Sequence, residues 1–172
     1  MSLRKVITAV LLTVAMCGVC VGQHRDPLTQ TEAQQLRAAS QAPERRVRLL
    51  LSFAADRLLA AERNGLHSSR EKDLQTAARN LQDFTVLMER LDAELAGSNA
   101  QGDTLQSALS TVLEGESGFA RRLDEFQRLG TAQQRILGTP VQHAMAAVEN
   151  SRNAVRLMLS REQQRNANPP IH

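Results

Sequence analysis

Cys17 and Cys20 are the only cysteines of the 172-residue chain, and they stand in Cys-x-x-Cys spacing inside MCGVCVG. That spacing serves thiol–disulfide exchange, haem attachment or zinc binding, and each use has its own requirement. A redox pair belongs at a helix start beside a strand, whereas this one lies within an apolar stretch. Haem attachment needs histidine directly after the second cysteine, and Val21 stands there. Zinc needs two further ligands close by. The residues fit a different purpose, as small residues near a peptidase site.

The remaining chemistry-bearing side chains are few. Of the four histidines, His24 and His172 lie near the ends of the chain, His67 falls between helical stretches, and His143 sits within one. No Glu-x-x-His pair occurs, so the carboxylate-bridged di-iron pattern of helical bundles has no basis. His143 and Met145 are two residues apart, and at about 100° per residue on a helix they diverge by about 200°. Met88 with His143 as axial haem ligands is the sharpest cofactor arrangement available, but Met88 lies on a Leu/Phe seam where methionine fills space. Glu116, between Gly115 and Gly118, occupies a core position of its helix. In an apolar setting its pKa would rise toward acid–base use. The alternative is that the two glycines bend the helix and let the carboxylate reach water or an arginine. No second carboxylate or nucleophile can be assigned to it from sequence. The reading is therefore no catalytic residue, no cofactor and no metal.

Residues 1–22 have the form of an export signal: Arg4 and Lys5, then an apolar run over 6–22, then the polar QHRDP. Cleavage between Gly22 and Gln23 places Cys20 and Gly22 at the small-residue positions. The run has 17 residues where a spanning helix needs about 20, so an uncleaved anchor is the second choice. Neither cysteine follows a small residue, which disfavours a lipoprotein signal.

Removing the leader changes the charge. The whole chain carries 21 basic and 18 acidic residues; without Arg4 and Lys5 the balance is 19 to 18. The pI near 9.5 is then no sign of nucleic-acid affinity. With no Trp or Tyr and four Phe, stacking platforms for single strands are nearly excluded. The residual 150 residues hold no cysteine, which suits an oxidising compartment, and no Asn-x-Ser/Thr acceptor, which favours a bacterial envelope.

Helix formers dominate from residue 29 onward. Thr29 or Thr31 opens a short helix reaching Ser40. Pro43 starts a second that stops at Gly65. Ser68 with Glu71 forms a capping box for a third, stopped by Gly97. Asp103 with Gln106 opens a fourth, ending at Leu129–Gly130, and Thr139–Pro140 starts a fifth ending near Arg165. Apolar stripes at steps of three and four mark each long helix. They are Val47, Leu50, Ala54, Leu58 and Ala61; Leu74, Ala77, Leu81, Phe84, Met88, Leu91 and Leu95; Leu105, Leu109, Val112, Glu116, Phe119, Leu123 and Phe126; and Val141, Ala144, Val148, Val155 and Leu159. Leu49 and Phe53 widen the face of the second helix, where the short helix should dock through Leu36 and Ala39. Charges at helical spacing, such as Arg90 to Glu94 and Asp124 to Arg128, read as solvated i,i+4 pairs.

Residues 26–58, with their Asp-Pro-Leu-Thr start, Leu36-Arg37, and Pro43 followed by Arg46 and a leucine-rich helix, resemble the opening of small exported helical proteins of acidobacterial type. That family has no assigned activity, so the resemblance implies export and a helical fold and transfers no site residue. A second likeness is to periplasmic stress-adaptor and metal-sensing proteins carrying Leu-Thr-x-x-Gln; here Leu28-Thr29-Gln30-Thr31 is followed by Glu32 instead of glutamine.

The expectation is an all-α protein, an elongated antiparallel four-helix bundle with a short extra N-terminal helix. Its parts are a signal peptide (1–22), an N-terminal segment (23–42), the bundle (43–165) and a disordered tail (166–172). The expected function is that of an exported, periplasmic or secreted, non-enzymatic protein acting through protein or envelope contacts. A metal- or haem-binding bundle and a signal-anchored inner-membrane protein are the alternatives. The expected partner is another protein or a second copy of the chain, with no nucleic acid, and a membrane only if the leader is retained.

Overall fold

The computed structural model describes residues 26–97 and 103–167. The expected leader, its Gly22–Gln23 junction and the Cys17–Cys20 pair lie outside the described residues, as do residues 168–172 of the expected tail. Everything described is helix, turn or short connection, with no strand among the described residues.

Helix α1 (Gln30–Ala38) starts at Thr29, the first of the two expected openers. The Thr29 hydroxyl accepts the Glu32 N–H at 3.2 Å and the Glu32 carboxylate accepts the Thr29 N–H at 2.7 Å, a complete capping box. Helix α2 (Pro43–Gly65) has Pro43 at its first position, where the missing N–H costs nothing. Gly65 is its last residue and serves close approach. A Cβ there would lie 3.0 Å from Ala77 Cβ, 3.1 Å from Phe126 Cε1 and 3.2 Å from Leu137 Cδ1.

Helix α3 (Glu71–Gly97) lacks the expected Ser68–Glu71 box. The Ser68 hydroxyl accepts from the Arg70 N–H and donates to the Asp73 carboxylate at 2.7 Å instead. Helix α4 runs Asp103–Gln127. The last helix departs most from expectation: α5 (Thr131–Ala167) begins eight residues before Thr139 and carries Pro140 in its interior. Proline removes its own N–H bond to the turn before and crowds the carbonyl four residues earlier. The fully buried Leu137 lies in the turn preceding it and Val141 directly follows it, and their packing holds the helix on both sides. The α4–α5 corner is built by glutamines. Gln134 Nε2 donates to the Phe126 carbonyl at 2.8 Å, satisfying an end carbonyl of α4, and Gln133 Nε2 reaches the Ser68 carbonyl at 3.0 Å.

The helices form a bundle. Helix α2 packs against α3 and α4, and α5 packs against the same two, so α3 and α4 are partners of α2 and α5 rather than of each other. Between α3 and α4 the Phe84 and Phe119 rings meet edge to face, centroids 5.3 Å apart. The expected stripes form the core wherever their side chains are described; the Leu105 side chain lies outside the described residues. Every expected α2 and α3 position is buried, as are Leu109, Val112, Glu116, Phe119, Leu123 and Phe126 on α4 and Val141, Ala144, Val148 and Val155 on α5. Leu159 is half-buried. Helix α1 lies on α2, and Leu36 and Ala39 are buried.

Arginines tie the helices together more than the i,i+4 reading allowed. Arg57 Nη2 reaches Glu32 at 2.6 Å and the Pro27 carbonyl at 2.9 Å, and Arg90 pairs with Asp26. Arg46 reaches Glu94 at 2.7 Å. Arg122 grips both Glu62 oxygens, at 2.6 and 2.8 Å. The partners lie 25 to 64 residues apart in sequence, so helix spacing alone could not predict them.

Candidate functional site

Three polar side chains converge where α3, α4 and α5 meet. Glu116 of α4 and Ser151 of α5 are both 0 % exposed. Ser151 occupies the seam between Val148 and Val155, at steps of three and four, so the helix turns it inward with its apolar neighbours. Asp92, half-buried, lies next to seam residue Leu91 of α3. The Ser151 hydroxyl donates to Asp92 Oδ1 at 2.5 Å.

Neither oxygen of Glu116 has a hydrogen-bond partner. The Ser151 hydroxyl carries a single hydrogen, and that hydrogen is committed to Asp92. Burial pushes the Glu116 carboxyl up to about 7 because the charged form loses its water. The neighbouring Asp92 charge adds to the rise, while Arg152 and Arg156 oppose it. Burial also raises Asp92, held back by the Ser151 hydrogen bond and helped by the Glu89 charge. Two carboxyls near one another in a poorly solvated place favour holding a proton.

Asp92 forms the outer edge of the cluster. It lines a cleft of about 280 Å³ between α3 and α5, together with Thr85, Glu89, His143 and Asn150. Proton exchange with solvent at Asp92 is thus possible, whereas Glu116 and Ser151 lie behind it. A general acid must reach the atom it protonates, and a fully enclosed Glu116 reaches no external substrate.

Sequence reasoning singled out Glu116 and placed it in the core, which is where it lies. The expected release of its carboxylate to water or an arginine does not occur, and the statement that no second carboxylate accompanies it is corrected by Asp92. Ser151 and Asp92 went unnoticed. The signal for Ser151 was its place in the Val148–Val155 stripe; for Asp92, its place four residues after Met88.

The structure does not bring Met88 and His143 together as a ligand pair. Met88 is 0 % exposed within the apolar core, and His143 is exposed on α5 at the mouth of the cleft. His67 is exposed in the α2–α3 connection. Among the described residues no group of three or more His, Cys, Asp or Glu side chains is placed to hold a metal ion, and no described helix is long and apolar enough to cross a membrane. The chain matches no family model, no curated protein and no solved structure.

Proposed function

We propose that this is an exported, non-enzymatic helical-bundle protein that works through contacts with other proteins, with the envelope, or with a second copy of itself. The observation that carries the reading is the closure of the polar cluster: Glu116 and Ser151 are fully enclosed, so its chemistry serves the protein's own interior. The leader-like residues 1–22 support export. We further infer the finer architecture, an elongated four-helix bundle whose successive helices alternate in direction. Supporting it, Arg46 near the start of α2 meets Glu94 near the end of α3. Leu51 lies by Gly115 and Glu62 meets Arg122, so α2 and α4 share a direction.

The test is light scattering on residues 23–172, paired with capture from envelope extract. Self-association, or a partner that binds the purified protein directly, supports the proposal; a strict monomer that captures nothing counts against it. Intact mass of exported protein starting at Gln23 separates a cleaved leader from an anchor. A haem absorbance band or stoichiometric metal in purified protein would replace the proposal with the cofactor-binding alternative.

A further inference from the structure

We propose that Glu116, Ser151 and Asp92 form a proton-operated latch: with a proton held in the cluster, α4 closes on α3 and α5, and with it lost, the Gly115–Gly118 turn of α4 lifts away. The inference goes beyond the contact role above and stands independently of it.

The geometry supplies each part. Glu116 is enclosed with both oxygens unpartnered, an arrangement native interiors rarely tolerate. A neutral carboxyl can donate its hydrogen to a Ser151 lone pair, completing a chain from Glu116 through Ser151 to Asp92 at the cleft. An ionised Glu116 has no such donor to give, and it faces Asp92 as a like charge. The groups around it are Asp92 on α3, with Glu89 beside that residue, and Ser151, Arg152 and Arg156 on α5. From α2, Leu51 packs on Gly115, while Arg48 and Arg122 line the adjoining α2–α4 cleft with Glu114. The cations are therefore at the edge, and none of them forms a hydrogen bond with the enclosed carboxyl.

The flanking glycines let α4 yield there. Glycine in a helix interior weakens it relative to alanine. A Cβ on Gly118 would touch nothing within 4 Å, and one on Gly115 would meet only Leu51, at 3.4 Å or more. The turn that carries Glu116 thus has room on its far side. Its movement would uncover the buried apolar neighbours Val112 and Phe119.

Hydrogen–deuterium exchange of α4 peptides at pH 6 and pH 8, corrected for the intrinsic pH dependence of exchange, tests the latch. If Glu116 regains its ordinary acidity in the open form, the opening equilibrium over residues 109–123 rises about tenfold between those pH values. Glu116→Gln should abolish that rise. Asp92→Asn, which keeps an acceptor for Ser151 and removes the like charge, should shift the onset to lower pH, since Glu116 ionises more readily once its charged neighbour no longer opposes it; the onset in this variant is read against the carboxyl midpoint measured in the same sample, and the two must move together. Protection over 109–123 that is the same at both pH values, or that falls equally in Glu116→Gln, overturns the proposal. If Glu116→Gln does not fold, onset and midpoint moving apart in Asp92→Asn overturns it equally.

Discussion

Replacing Glu116 by glutamine should remove a pH dependence of stability that the native protein carries. The folded carboxyl titrates near 7 and its ordinary value is 4.5. Between those values the folded state keeps a proton that the unfolded state releases, so stability falls as pH rises through that window. Below 4.5 and above 7 the contribution of this group is level. The full displacement corresponds to about 3 kcal/mol, and relaxation toward Arg152 and Arg156 reduces the expectation to about 2–3 kcal/mol. Urea unfolding at 25 °C, repeated from pH 4.5 to pH 8, measures it. The native midpoint should drop steadily to about pH 7 with an unchanged slope against urea. Glu116→Gln should lose most of that drop, and Glu116→Leu should be the more stable protein at pH 8, since an apolar side chain avoids the buried charge. A native midpoint that is flat over the range, or a Glu116→Gln curve parallel to the native one, would refute the reasoning.

Other sites give independent expectations. Gly65→Ala should cost about 1–3 kcal/mol by overpacking, because the new methyl meets Ala77, Phe126 and Leu137 at 3.0–3.2 Å; thermal unfolding reads it. Arg57→Ala should release α1 from α2, since Arg57 holds both Glu32 and the Pro27 carbonyl; limited proteolysis should then cut near residues 38–42 while the rest of the bundle survives. Glu32 itself is pulled up by burial but more strongly pulled down by Arg57 and Thr29. Its stabilisation is present above its ordinary 4.5 and fades as pH falls through the lower folded value, so exchange in α1 should quicken in acid. Pro140→Ala should raise the melting temperature by restoring one backbone bond in α5, a gain of up to about 3 kcal/mol.

Much of the fold was legible because burial in a helix follows a period. The α3 stripe from Leu74 to Leu95 lies wholly inside, as steps of three and four require. The docking of Leu36 and Ala39 on α2 followed from the surplus apolar residues Leu49 and Phe53. Pro140 misled because local backbone preference was weighed without Leu137 and Val141, whose burial sustains a helix through one lost bond. The site was half legible for a related reason. Periodicity says which residues face inward, and it placed Glu116 there. It does not say which inward residues of different helices meet. Asp92 and Ser151 are 59 residues apart in sequence, and their hydrogen bond depends on α3 and α5 being neighbours. The consecutive-helix picture gave no such adjacency.

The buried proton is the feature on which both the stability argument and the latch depend. Selective carbon-13 labelling of glutamate, with Glu116→Gln to assign its signal, allows the side-chain carboxyl to be titrated by NMR. A Glu116 midpoint near 7 is the predicted result; a midpoint at or below the ordinary 4.5 would contradict it.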